Sequence, residues 1–265
     1  MSRIQEFFAT HPVFTLNEFK SEVGKSITTS TLHTHLKRYR KSGRITAIKQ
    51  GLYYVVPAGR HPDTSPVDPY LVAGKAAEDS VIGFHTAFEL LGAGHSEFSS
   101  KYYLTQNPRR PFRFRTLTFQ AVQVPRELVD NNRHNFGTER VERQGHWVVV
   151  TGKERTLVDC LERPEYCGGW EEVYRCAEKL PFLNFEVLGE YLELRGRKVL
   201  FAKTGFFLEQ HRETFFVEES FLQRLERRVP KQPLYLDGRD QKGRLAQRWN
   251  LIVSEEILSR AWEEF

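Results

Sequence analysis

Cysteine is scarce in this 265-residue chain: Cys160, Cys167 and Cys176 are an odd number and form no CxxC pair. A disulfide framework of the kind that staples small secreted domains is therefore not expected, and a reduced compartment is. The nine histidines include no HExxH. His33 and His35 lie two residues apart, which on a helix points them in different directions, so no metal is expected. No apolar run approaches the roughly 20 residues that span a bilayer. The N-terminal "MSRIQEFFATHPVF" lacks both a long apolar stretch and a small-residue cleavage site. A cytoplasmic protein without membrane contact is the expectation. Walker A and GxGxxG motifs are missing, so no nucleotide cofactor is expected, and no internal repeat or low-complexity tract occurs.

What the chain does have is an ordinary globular composition, 40% hydrophobic and 28% charged, with a high 13% of aromatic residues. Its net charge of +5 is unevenly spread. Residues 1–60 hold ten Lys/Arg against three Asp/Glu, a local excess of +7 that leaves about −2 for the other 205 residues. Such asymmetry points to a polyanion-binding module joined to a neutral or slightly acidic body.

The pattern of elements predicts an α+β fold in three regions. Residues 1–58 read as a winged helix-turn-helix, 59–66 as a linker ("GRHPDTSP"), 67–150 as an α+β region with an antiparallel sheet, and 151–265 as mainly helical. In the first region Ile4 to Thr10 suits a short helix. Thr15 with Glu18 forms a capping box before "LNEFKSEV", and Gly24 stops that helix. Thr28 or Thr29 caps the next one, in which Leu32, Leu36 and Tyr39 recur at helical spacing up to Ser42-Gly43. "RITAIK" and "LYYVV" then form a hairpin through Gln50-Gly51. Further on, Thr151 and Glu154 predict a second capping box, and helices are expected at Phe185 to Leu194, Val199 to His211, Glu219 to Arg228 and Glu255 to Trp262.

The third helix carries the chemistry. A recognition helix needs short polar side chains near its N-terminus for base edges and cations farther along for phosphates. Thr28, Thr29, Ser30, Thr31, His33 and Thr34 come first, and Lys37, Arg38, Arg40, Lys41 and Arg44 follow. Lys49 and Gln50 occupy the expected wing tip. Double-stranded DNA is the partner this pattern fits. A solvated amphipathic helix would show the same stripe, but the charge excess coincides with the motif.

Other motifs are better explained by structure than by chemistry. Arg113 and Arg115 alternate with Phe112 and Phe114, which would put both arginines on the solvent face of one strand, with an extended DNA footprint as the rival reading. Asp240-x-Lys242 has the spacing of an acidic-x-lysine nuclease pair, yet between Gly238 and Gly243 it reads as a turn. Cys160 lies in a segment that looks like a packed helix and has no supporting nucleophile motif. No enzymatic activity is expected. A DNA-processing nuclease and a plain transcriptional regulator are the alternatives.

Taken in order, the N-terminal unit ending "GLYYVVP", then "NFGTERV", "VTGKERTLVDCLERPEYCGGWEEV", "KTGFFLEQH" and "RWNLIVSEE" resemble the AbiEi family of type IV antitoxins and related regulators of phage-defence systems. The likeness spans nearly the whole chain. It implies a protein that represses its own operon by binding inverted repeats in the promoter. It also implies that the body counteracts a partner toxin of nucleotidyltransferase-like fold, with no stable complex required. The implied DNA contacts fall on Thr29 to Lys41 and on the wing around Lys49 to Gly51. Within the third of these stretches, Arg155, Asp159 and Trp170 have the pattern that packing requires.

Overall fold

The computed structural model describes residues 3–24, 28–237, 243–260 and 262. The fold is mixed α+β and divides into two compact units, each assembled from separated stretches. Met1–Ile82, Phe98–Gln123 and Arg140–Val149 form the first; Gly83–Glu97, Val124–Glu139 and Val150–Phe265 form the second. This differs from three successive regions because strand pairing gathers segments distant along the chain.

The first unit begins with α1 (Arg3–Thr10), β1 (Val13–Thr15), α2 (Leu16–Val23), α3 (Thr29–Lys41), β2 (Ile45–Lys49) and β3 (Leu52–Val55). The capping box forms as expected: the Glu18 amide donates to Thr15 Oγ1 at 3.2 Å, and Thr15 N donates to Glu18 Oε2 at 2.6 Å. The hairpin also forms, with Gly51 at φ +79° supplying the left-handed turn residue and a bulge between Ala47 and Lys49. Sequence periodicity gave no sign of β1, a three-residue strand that pairs antiparallel with β3 and makes a sheet of order β1-β3-β2. Phe7, Phe8, Phe14, Phe19, Leu32 and Leu36 join Ile45 and Val55 in one core under the three helices.

The same unit continues with α4 (Pro69–Gly74), β4 (Val81–Ile82), β5 (Ser100–Thr105), β6 (Phe112–Phe114), β7 (Leu117–Gln123) and the greater part of β8 (Thr138–Arg143) and β9 (His146–Thr151). Their sheet has the order β6-β7-β5-β4-β9-β8. The expected antiparallel layer is in fact mixed: β4 pairs antiparallel with β5 and β6 with β7, but β5 and β7 run parallel. The run "FRFRTLTFQAVQV" is not one strand either, because Arg115 takes φ +57° and breaks it into β6 and β7. Arg113 is exposed, whereas Arg115 turns to the Ser65 and Pro62 carbonyls and lies 5.5 Å from the Tyr54 ring centroid. Tyr54 Oη also donates to the Pro66 carbonyl at 2.8 Å, so the stretch expected to be a linker is pinned at several points.

The second unit holds α5 (Phe84–Leu90), α6 (Arg126–Asp130), α7 (Lys153–Glu162), α8 (Trp170–Ala177), α9 (Phe185–Arg195), α10 (Lys198–Gln210), α11 (Glu219–Glu226), β10 (Leu234–Tyr235), β11 (Gly243–Ala246), β12 (Leu251–Ser254) and α12 (Glu255–Ser259). α7 is buried from Glu154 through Leu161 and packs against α5, α8, α9 and α10. The second capping box does not form: β9 runs on through Thr151, so Gly152 becomes the N-cap. Glu154 instead accepts the Asn184 amide at 2.8 Å, and Thr151 Oγ1 meets Thr156 Oγ1 at 2.6 Å. Several buried polar groups inside this unit find partners far along the chain. Arg155 donates to the carbonyls of His134 and Phe136, and Asp159 accepts from Tyr191 Oη and Arg195 Nη1. Trp170 lies under the Lys203 ammonium, 5.3 Å from its ring centroid. Asp240 and Lys242 lie outside the described residues.

Candidate nucleic-acid interface

Helix α3 is held from below and open above. Leu32 and Leu36, one turn apart, are buried in the N-terminal core, and Tyr39 packs at its edge. A 3.6-residue period then turns Ser30, Thr31, His33, Thr34, Lys37, Arg38, Arg40 and Lys41 outward, and all are exposed. Thr28 is the N-cap: its hydroxyl accepts the Thr31 amide at 3.3 Å and lies 2.9 Å from Thr31 Oγ1. Thr29 opens the helix, but its side chain lies outside the described residues.

The face divides by chemistry along its length. Hydroxyls and one imidazole occupy the N-terminal half, where the helix dipole and the free amides favour an anionic partner. Thr34 Oγ1 donates to the Ser30 carbonyl at 3.0 Å and retains its acceptor lone pairs. The C-terminal half holds Lys37, Arg38, Arg40 and Lys41, cations that also suit that end of the dipole. Arg38 is partly engaged, with its guanidinium 5.2 Å from the Tyr39 ring centroid. Ser42 caps the helix, and the exposed Arg44 follows, lining a groove with Phe8, Pro12, Val55 and Pro57.

The hairpin contributes differently from the sequence expectation. Gln50 is exposed at the turn, but Lys49 is half-buried. Its Nζ donates to the Ala76 carbonyl at 2.5 Å and lies 4.7 Å from the Phe112 ring centroid. Burial, and then the nearby Arg109, lower its pKa. Lys49 thus fastens the hairpin to the six-stranded sheet of its own unit and does not join the exposed α3 face. The physical reason is the bulge before it, which shifts the pleat so that alternation along β2 no longer predicts which side Lys49 takes. Arg109, Arg110 and Arg113, on and beside β6, are exposed.

No protein-family model matches the chain, and neither does any curated protein. Among solved structures, the chain is similar in fold to the Rv2827c protein from Mycobacterium tuberculosis, known from a crystal structure. The likeness has a TM-score of 0.63 at 16% sequence identity and covers 99% of this chain and 94% of the other.

Proposed function

We propose that this chain is a DNA-binding repressor of the AbiEi antitoxin type, whose N-terminal region is a winged helix-turn-helix with α3 as the recognition helix. The observation that carries the reading is the exposed α3 face, with hydroxyls toward its N-terminus and four cations toward its C-terminus, on a helix whose opposite side is locked by Leu32 and Leu36. The element order α1-β1-α2-α3-β2-β3 and the sheet β1-β3-β2 support it, since they place a hairpin directly after the helix. In this reading Lys37, Arg40, Lys41 and Arg44 hold phosphates, and Ser30, His33 and Thr34 face base edges, each correctly aimed contact contributing about 1–3 kcal/mol of discrimination. The wing contributes Gln50, while Lys49 keeps it in place. The antitoxin role rests on the family resemblance and falls to the rest of the chain.

The test is a titration of the purified protein with its own promoter DNA at several salt concentrations, alongside co-expression with a neighbouring nucleotidyltransferase-like toxin. The double variant Lys37→Ala/Arg40→Ala should lose promoter binding and still rescue growth. Unchanged affinity and salt dependence in that variant would reject α3 as the DNA contact. Failure of the unaltered, folded chain to rescue growth would reject the antitoxin role.

A further inference from the structure

The second unit contains a buried cluster that the DNA-binding reading does not use. His85 on α5 is fully buried, with Nε2 2.9 Å from Glu172 Oε1 and Nδ1 3.3 Å from Glu89 Oε1. Glu172 and Cys176 stand one turn apart on α8, both buried, and Cys176 Sγ is 3.3 Å from the same Glu172 Oε1. The ligating atoms of His85, Glu172 and Cys176 all lie within 4.8 Å of one another. The sequence offered no sign of this group, because His85 and Glu172 are 87 residues apart and neither belongs to a local ligand motif.

We infer that His85, Glu172 and Cys176 form a binding site for a divalent cation of the zinc class. Three features carry the assignment. The donor set of one imidazole nitrogen, one carboxylate oxygen and one thiol suits a borderline-soft ion and does not suit magnesium or calcium, which take oxygen ligands. Two separations, 2.9 and 3.3 Å, lie near the about 3 to 4 Å between donors that an ion about 2.0 to 2.3 Å from each requires. Third, Cys176 and Glu172 have hydrogen-bonded outer partners of the kind that orient metal ligands. On the other side of the ring, Glu89 Oε1 lies 3.3 Å from His85 Nδ1, while Nε2 faces Glu172. The His95 amide donates to Cys176 Sγ at 3.3 Å, and the Ser96 amide and hydroxyl donate to the two Glu172 oxygens at 2.8 Å each.

Glu172 Oε1 is the common neighbour, 2.9 Å from His85 Nε2 and accepting from Cys176 Sγ at 3.3 Å. A divalent ion would be held by a neutral imidazole and a thiolate beside the Glu172 carboxylate. His95 and Ser96 are exposed, so the site lies directly beneath a surface loop that offers an entry path. A bound ion would join α5, the loop at 94–96 and α8.

Cobalt(II), added to the full-length, reduced and metal-stripped protein, tests this. One equivalent should bind and produce a sulfur-to-cobalt charge-transfer band in the near ultraviolet, which zinc should abolish by displacement. The band should vanish in Cys176→Ser. Should that variant fail to fold, Cys160→Ser/Cys167→Ser decides, because Cys176 is then the sole cysteine and the band should persist. No charge-transfer band in the unaltered protein, a band that survives Cys176→Ser, or one lost with Cys160 and Cys167 while the protein stays folded, would overturn the assignment.

Discussion

Lys37 and Lys49 are both lysines of the N-terminal unit, yet one is exposed on α3 and the other is held against Ala76 and Phe112. The proposed interface therefore predicts opposite behaviour for them. Replacing Lys37 or Arg40 by Ala should lower the log-log salt slope of promoter binding by about 0.9 for each lost phosphate contact. Lys49→Ala should leave that slope unchanged and lower the urea midpoint of unfolding, because it removes an anchor of the hairpin. Gly205 on α10 is a second residue whose role lies in its surroundings. A Cβ there would stand 2.0 Å from Trp249 Cζ3, and Trp249 is itself fixed by its Nε1 bond to Glu209 at 2.7 Å. Gly205→Ala should cost about 1 to 3 kcal/mol through overpacking, read from the denaturant midpoint.

Among the elements, α2 and α7 show how far a local signal reaches. Thr15 and Glu18 predicted a capping box and make one, with Lys75 adding an ion pair to Glu18 at 2.5 Å. Burial alone would raise the Glu18 pKa, but Lys75 and Thr15 outweigh it and hold the carboxyl below its ordinary value. Thr15→Ala should cost about 1 kcal/mol of stability by thermal or urea unfolding. Thr151 and Glu154 had the same spacing and did not cap α7, because β9 claims Thr151 and the buried Glu154 serves Asn184. The end of α1 offers a pH test. His146 on β9 meets the Thr10 carbonyl at 2.8 Å and the His11 ring at a centroid distance of 4.9 Å. Burial lowers its pKa against the raising effect of the Thr10 carbonyl and, more weakly, Glu18, with Lys75 and His11 acting in the same direction as burial. The folded form thus binds fewer protons than the unfolded one. Its contribution is complete above the ordinary histidine pKa of about 6.5 and is lost as pH falls through the lowered folded value. Urea midpoints should drop on acidification below about pH 6.5, and His146→Gln should flatten that drop.

For the molecule as a whole, the informative stretch is residues 59–66. Composition marked it as a linker, and Arg60 is indeed exposed. The tertiary structure pins its end, with Ser65 buried against Tyr54 and two carbonyls taken by Arg115. Arg115→Ala should make the bond after Arg60 a faster site of trypsin cleavage, seen as a discrete fragment pair in a time course. An unchanged cleavage rate would show that Arg115 does not restrain this segment. Arg115 was expected on a strand face beside Arg113, and its actual role depends on a turn that no alternation of Phe and Arg announces.

The sequence by itself determined what short-range physics determines: the helical stripe Leu32, Leu36 and Tyr39, the cap at Thr15, a second cap at Thr28 or Thr29, the turn at Gly51, and the exposed polar and basic face of α3. These follow from the periods of helix and strand and from backbone donors that must be satisfied near helix ends. Only the tertiary structure decided that β1 completes the small sheet, that β5 and β7 run parallel, that Lys49 and Arg115 turn inward, and that His85 meets Glu172 and Cys176. Each of those depends on a partner far away in the chain, and side chains at such a distance leave no periodic trace in the residues between them.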